Sequence, residues 1–162
     1  MKALIVYASW FGHNRTVAQA LAAELTRRGL TVACGPASRI TASDAIGVEL
    51  LVLGTYTHGG KASRRLRKFC EAIPQRRFEH ITIAAFGTQM MDNQQPLSPG
   101  GIDDLQTCLA ARGCDLAIAP LRIGLSPGAA FLPMRRITAT QHHQIEAFAA
   151  ELWEASVPAP LM

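Results

Sequence analysis

Long apolar runs and an apolar leader are both missing from this sequence. None of its 162 residues belongs to a run near the roughly 20 consecutive apolar residues that span a bilayer. Close to the N-terminus, Lys2 is the only basic residue before a short apolar run at 3–8, which is typical of a buried strand rather than a secretion signal. We therefore expect a cytoplasmic protein that does not insert into membranes.

Paired cysteines are also missing. The four cysteines show neither a Cys-x-x-Cys spacing nor a cluster; they are Cys34, Cys70, Cys108 and Cys114. A disulfide framework and a zinc site are therefore disfavoured. Cys70 and Cys108 fall on apolar faces of predicted helices, where free cysteine packs as a small hydrophobic side chain. We expect buried, reduced thiols and no metal.

Nucleotide-loop signatures and strongly basic segments are absent as well. The first loop has neither the Gly-x-Gly-x-x-Gly of dinucleotide sites nor the Gly-Lys-Ser/Thr of nucleoside triphosphate sites. No order of serine, histidine and aspartate typical of a hydrolase is apparent. The net charge of +4 comes without a basic tail or a basic stripe mixed with aromatic residues, so we expect no nucleic-acid partner.

Five short apolar runs predict strands that are buried on both faces: residues 3–8, 30–35, 50–54, 81–86 and 115–123. Apolar residues three and four positions apart predict helices around residues 17–25, 66–73, 102–109 and 145–152. Strand and helix alternate without a linker or a repeat. This alternation predicts a single domain over residues 1–162, an α/β, three-layer, doubly wound fold with a five-stranded parallel sheet of order 2-1-3-4-5.

In a sheet of that order, a ligand binds beyond the carboxyl ends of the strands, where the winding direction reverses. The loops after the first, third and fourth strands are therefore the candidate site. The first loop leads into a helix, whose free N–H groups and partial positive charge suit a phosphate. Gly12 lets the backbone approach closely, and Asn14 is the predicted N-cap. The alternative interpretation is an ordinary strand–helix turn.

The second and third loops carry polar and small side chains. The second loop, 54–60, offers hydroxyl groups, a tyrosine and a histidine on a glycine-rich backbone. The third loop begins at Gly87 and runs without periodicity to Gly101. A structureless stretch of that length inside a compact domain is typical of a functional loop.

Three segments, in order and in register, resemble flavodoxins. The run LIVYASWFGHNRTVAQAL resembles the phosphate loop of that family, and LLVLGTYTHGG resembles its second flavin loop. AAFGTQ followed by GGIDDLQTCLAARGCDL resembles the third loop and its helix. Together they cover nearly the whole chain, and the lack of a long insertion in the last strand resembles the short-chain type.

The resemblance implies a noncovalently bound FMN and one-electron transfer between larger redox enzymes, a reductase as donor and an enzyme as acceptor. It implies that the phosphate lies on the first loop and the isoalloxazine ring between the other two. The cofactor-binding residues predicted in this way are Ser9, Trp10, Phe11, Gly12, His13, Asn14, Thr55, Tyr56, Thr57, His58, Gly59, Gly60, Gly87, Thr88, Gln89, Met90 and Asp92. No residue is predicted to be catalytic.

The chain departs from the family pattern at several positions. Asn14 stands where flavodoxins usually have threonine, Phe11 where they have a hydroxyl residue, and His58 where a tryptophan commonly stacks on the flavin. The tyrosine that covers the other flavin face is missing, and the chain is basic, whereas most flavodoxins are acidic. With Gly60 and Lys61 in place of acids, we expect the flavin to be reduced more easily than in acidic flavodoxins.

Three functions follow from these features. The first is the one-electron carrier. The second is an FMN-dependent oxidoreductase acting on a quinone or a porphyrinogen, since an uncovered flavin face leaves room for a substrate. The third is a binding module that has kept the fold and lost FMN, which the replaced threonine and the missing rings would support.

Two further segments carry expectations about partners. The basic run 61–68 predicts a docking face for an acidic redox partner; the alternative is the solvated side of an amphipathic helix. Residues 124–138 form a segment longer than the family needs before its last helix, and they could be a partner-binding loop. We expect a monomer or a weak dimer.

Overall fold

A parallel sheet between two layers of helices forms the fold. The computed structural model describes residues 1–92, 95–96, 100–133 and 136–158. It gives the backbone alone for Met91, Asp92, Gln95, Pro96 and Pro127. Among the helices described, none is both long and apolar enough to cross a membrane.

The sheet has the predicted order. Its strands are β1 (Lys2–Tyr7), β2 (Thr31–Pro36), β3 (Leu50–Tyr56), β4 (Thr82–Asp92), β5 (Gln95–Pro96) and β6 (Leu121–Leu125). Parallel pairing runs β2-β1-β3-β4-β6, which confirms the doubly wound order 2-1-3-4-5 for the five parallel strands. The short β5 pairs antiparallel with the end of β4.

The helices cover both faces of the sheet. They are α1 (His13–Arg27), α2 (Arg64–Ala72), α3 (Gln75–Phe78), α4 (Gly101–Ala110), α5 (Pro127–Ala130) and α6 (Ala139–Ser156), with a 3-10 helix at Ala42–Ala45. Alternate strand residues point to opposite faces. Ile5 therefore packs in one buried cluster with α1 and α6, whereas Leu4 packs in the other with α2 and α4.

Two strands have other boundaries than the sequence predicts. β4 extends beyond residue 86 because Gly87 and Thr88 pair with β3, and 86–90 pair with β6. The predicted third loop therefore begins as a strand. The last strand starts at Leu121 rather than at residue 115, directly after Pro120, which cannot donate a ladder hydrogen bond.

The start of α1 also differs from the prediction. Gly12, not Asn14, is the N-cap, and it has a left-handed φ of 81°. Glycine adopts this conformation without the penalty that a Cβ imposes, so the helix begins earlier in the loop. The prediction of buried cysteines holds for Cys70 and Cys114, whereas Cys108 is only half-buried, and the prediction is wrong for Cys34, which is exposed.

Candidate functional site

A cavity of about 500 Å³ opens at the carboxyl ends of β3, β4 and β6. It draws residues from all three predicted loops: Trp10, Phe11, Tyr56, Thr57, His58, Gly59, Gly60, Thr88, Gln89 and Met90. Four lining residues were not predicted from the sequence, namely Gly100, Leu125, Ala130 and Phe131. We call this space the slot.

The remaining predicted residues lie beside the slot or beneath it. Ser9 and Gly12 line a neighbouring cavity, whereas His13 and Asn14 are buried in the first turn of α1. Thr55 and Gly87 are buried in adjacent strands, where they pair with each other. The side chain of Asp92 lies outside the part of the chain that the structure describes.

The first loop presents unsatisfied polar groups next to the start of α1. The leading N–H groups of a helix have no partner within it, and the first turn of α1 contains no acidic residue. Asn14 Nδ2 donates to the carbonyl oxygen of Ala8 at 2.8 Å, which ties the helix to the end of β1. Within the described residues, Ser9 Oγ and Asn14 Oδ1 are buried without a hydrogen-bond partner.

The long segment before α6 packs against the first loop. His13 Nε2 lies 2.5 Å from the carbonyl oxygen of Leu132, so an Nε2–H donates across this contact. The rings of Phe11 and Phe131 meet edge to face, with centroids 5.9 Å apart. Leu125, Ala130 and Phe131 of the segment 124–138 therefore form a wall of the slot, whereas Met134 and Arg135 lie outside the described residues.

The second loop is a tight turn held by α4. His58 and Lys61 exchange two backbone hydrogen bonds of 3.0 Å. Gly59 and Gly60 between them have φ of 56° and 73°, two successive positive values as in a type I′ turn. The Asp104 carboxylate accepts from the N–H of Ala62 at 2.9 Å, which anchors the turn to the helix.

Trp10 is the centre of an aromatic cluster at the mouth of the slot. Its ring centroid lies 6.1 Å from that of Phe11, 5.9 Å from that of Tyr56 and 5.3 Å from that of His58. Trp10 is 63% exposed, so a face of its ring remains open to a ligand. An aromatic wall is therefore present: Trp10 and Phe11 of the first loop, Tyr56 of the second loop and Phe131 supply its rings, with the His58 imidazole beside Trp10.

The guanidinium of Arg122 orients Gln89, a polar residue that lines the slot. Arg122 donates to Asp103 Oδ1 at 2.8 Å and to Gln89 Oε1 at 3.3 Å. Gln89 is buried and lines the slot. Since its oxygen accepts from Arg122, its amide N–H₂ is left as a donor.

The ion pair of Asp103 predicts an acid-dependent loss of stability. Its hydrogen bond from Arg122, assisted by one from the N–H of Gly100, holds the pKa of Asp103 below its usual value, against the effect of burial. A lowered folded-state pKa contributes stability above the unfolded-state value of about 3.9, and this stability is lost as the pH falls through the folded pKa. We expect Tm to fall less between pH 4 and pH 2 in Asp103→Asn than in the wild type. Parallel Tm curves from circular dichroism would contradict this assignment.

One motif was missed in the sequence. Residues 124–128 read Gly-Leu-Ser-Pro-Gly and match the Gly-x-Ser-x-Gly of hydrolase nucleophile elbows. Ser126 is instead the N-cap of α5, with φ −64° and ψ 152°, and its Oγ accepts from the N–H of Ala129. The strained turn that exposes a nucleophile is absent at this described residue, so hydrolase chemistry is still disfavoured.

Comparison with known families decides the assignment. The family model described as Flavodoxin matches residues 5–113, more than half of the chain. The chain belongs to the flavodoxin family. No curated protein matches this flavodoxin closely enough in sequence to count as a relative.

Solved structures with the same fold include other flavodoxins. Oxidised Flavodoxin 1 from Bacillus cereus is 20% identical, with a TM-score of 0.71 over 95% of this chain and 98% of that one. The flavodoxin of Streptococcus pneumoniae TIGR4 is 21% identical, with a TM-score of 0.73 over 95% and 99%. Rubredoxin oxygen:oxidoreductase from the anaerobe Desulfovibrio gigas is 18% identical, with a TM-score of 0.73 over 95% of this chain and 35% of that one. Identities this low show the fold alone.

Family membership gives a coarse function. Flavodoxins are electron carriers whose cofactor is a flavin, and they act with redox partner proteins. This flavodoxin carries a basic run at 61–68. Lys61 Nζ lies 3.4 Å and Arg67 Nε 3.9 Å from oxygens of Asp104, so part of the positive charge is neutralised within the molecule. On α2 the exposed cations of the run are Arg64, Arg65 and Lys68, and Lys61, which precedes the helix, is exposed as well.

Proposed function

We propose that this flavodoxin binds FMN across the three loops that follow the first, third and fourth predicted strands and carries single electrons between redox proteins. The observation that supports this most strongly is the position of the slot, which adjoins the N-terminus of α1, where the N-cap Gly12 offers no side chain to the free N–H groups. A flat aromatic ring and a phosphate can therefore be held side by side. When bound, FMN supplies the redox chemistry, and the chain supplies its position and its electrostatic surroundings.

The first loop fits a phosphate. Ser9 Oγ is a buried hydroxyl without a partner among the described residues, and it would donate a hydrogen bond to a phosphate oxygen. The free N–H groups of the first turn of α1 add donors and a partial positive charge. Asn14 Oδ1 is an acceptor, so it suits a hydroxyl of the ribityl chain rather than the phosphate. At the position where flavodoxins usually have threonine, Asn14 would therefore accept a hydrogen bond from the ribityl chain instead of donating one to the phosphate.

The slot fits an isoalloxazine ring. Its walls are mainly apolar and aromatic, with Trp10 and Tyr56 near one side and Phe131 near another. Small-molecule sites combine such walls with a few polar groups that fix orientation. The Gln89 amide, held by Arg122, is one such donor. The charge of Arg122 is balanced by Asp103, so the expectation of easier reduction than in acidic flavodoxins depends on the second loop, where Gly60 and Lys61 stand in place of acids.

Redox partners would approach the mouth of the slot. Trp10, Phe131 and Leu132 are each 63% exposed there. Arg64, Arg65 and Lys68, three exposed cations of the run 61–68, lie on the helix that follows the second loop, where they would attract an acidic partner. Such steering weakens as salt increases.

Flavin titration tests this proposal. FMN, riboflavin and FAD are added separately to the apoprotein, and quenching of flavin fluorescence gives each dissociation constant. We expect FMN to bind much more tightly than riboflavin, because only FMN offers a phosphate to the first loop. If none of the three binds, the redox functions fail and a binding module that has lost FMN is left.

The wall of the slot that comes from the segment 124–138 favours a second function, an FMN-dependent oxidoreductase with its own small substrate. Leu125, Ala130 and Phe131 enlarge the space beyond the flavin loops, which would leave room for a small substrate such as a quinone. Steady-state turnover of the FMN-loaded protein with NAD(P)H and a quinone distinguishes an oxidoreductase from a carrier. We expect no turnover without an added reductase; sustained turnover would favour the oxidoreductase.

Trp10 provides a test of the ring site. Replacing it with alanine removes the central ring of the aromatic cluster, and an aromatic pair contributes about 0.5–1.5 kcal/mol beyond its buried area. We expect Trp10→Ala to raise the dissociation constants of FMN and riboflavin together, by about 3–10-fold. Trp153→Ala, on the far helix α6, is the matched control. A loss confined to FMN would place Trp10 at the phosphate instead.

A further inference from the structure

A second cavity, of about 770 Å³, lies on the β2 side of the first loop. Its lining comes from the end of β1, the first loop, α1, the residues after β2 and the start of α2. We call this space the arginine cavity. Trp10 and Tyr56 line both it and the slot, so these two rings form the wall between the two spaces.

Three guanidiniums define the charge of this cavity. Arg15 is on α1, Arg39 follows β2, and Arg65 is on α2. Among the described residues, none of the three has a carboxylate within ion-pair distance, in contrast to Arg27, Arg67 and Arg122. Because the three come from separate elements, no local sequence motif indicates them.

Two of these guanidiniums act on the hydroxyl group of Tyr7, a buried residue that also lines the arginine cavity. Burial raises the pKa of Tyr7, and the guanidiniums of Arg15 and Arg39 oppose that rise. Both cations therefore lie close enough to act on the same group. Ser38 and the buried Ser63 add hydroxyl groups to the lining.

We propose that the arginine cavity binds a nucleotide with two or more phosphates, independently of the flavin. Unpaired arginines are suited to phosphate oxygens, which they bind through two parallel hydrogen bonds. A single phosphate fills little of a cavity this large, and the rings of Trp10 and Tyr56 offer faces on which a base can stack. The flavin phosphate would take only the end formed by Ser9 and Gly12.

Calorimetric titration with ADP tests this proposal on both the apoprotein and the FMN-saturated protein. We expect one ADP per chain in each case, with FMN fluorescence still quenched at saturating ADP. Pyrophosphate should bind more weakly than ADP, and adenosine much more weakly than either. The two forms of the protein separate this proposal from FMN binding, because ADP binding to the apoprotein does not depend on the flavin.

Two variants locate the site. Arg39→Gln and Arg65→Gln should each weaken ADP binding about tenfold or more, because each removes a charge-assisted contact. They should leave the FMN dissociation constant unchanged. Arg28→Gln, at the far end of α1, is the control and should change neither. The proposal is overturned if ADP does not bind, if ADP displaces FMN, if pyrophosphate binds as tightly as ADP, or if the two variants behave like Arg28→Gln.

Discussion

Replacing Gly54 with alanine is expected to destabilise the protein by about 1–3 kcal/mol, the cost of overpacking a filled core. A Cβ at this position would lie 2.2 Å from Cζ of Phe86, whose ring is fully buried between the sheet and its helices. The ring cannot retreat without displacing its own neighbours, since protein interiors are packed at crystal density. In a chain of this size, we expect Tm to fall by about 2–12 °C.

The control for Gly54→Ala is Gly128→Ala. A Cβ at Gly128 meets nothing within 4 Å, so this variant should keep the wild-type Tm. Phe86→Leu in the Gly54→Ala background should cost less than Phe86→Leu alone, because the smaller side chain relieves the clash. Strictly additive effects in urea denaturation would show that Gly54 is not required by the Phe86 ring.

Removing the Ser9 hydroxyl is expected to weaken FMN binding by about 10–100-fold and to leave riboflavin binding unchanged. A hydrogen bond to a charged group contributes about 1.5–3 kcal/mol, and each 1.4 kcal/mol is a factor of ten in affinity. Ser9 Oγ has no other partner within the described residues, so Ser9→Ala should cost the apoprotein little stability. The measurement is fluorescence titration with both flavins.

Ser43→Ala is the matched control for Ser9. Ser43 lies in the 3-10 helix between β2 and β3, and it lines neither the slot nor the arginine cavity. It should not alter the affinity for either flavin. If Ser9→Ala weakens riboflavin as much as FMN, then the Ser9 hydroxyl does not contact the phosphate.

Most of the fold was readable from the sequence because its strands are buried on both faces. Such strands appear as nearly continuous apolar runs, as at Leu50–Tyr56, where all residues but the last are buried. The errors occurred where tertiary pairing overrides the local pattern. Residues 87–90 look like a polar loop, yet they form a strand because all four pair with β6 and the first two pair with β3 as well.

The site was only partly predictable for a similar reason. Loop residues such as Trp10 and Thr57 follow directly from the position of the strands. Phe131 was missed because it is distant in sequence and reaches the slot through the contact between His13 and Leu132. No sequence pattern indicates that Phe131 supplies a ring to the slot, because only tertiary packing brings the segment 124–138 against the first loop.

Backbone amide NMR with the two flavins tests most directly whether the three loops form one FMN site. ¹H–¹⁵N spectra of the apoprotein would be recorded during titration with FMN and then with riboflavin. We expect FMN to shift amide signals in residues 9–16, 55–60 and 87–90 along a single saturation curve. Riboflavin should shift the last two groups and leave the N–H groups at the start of α1 largely unchanged. Identical shifts with both flavins, or shifts confined to other surfaces, would contradict the account of a phosphate held by the first loop and a ring held in the slot.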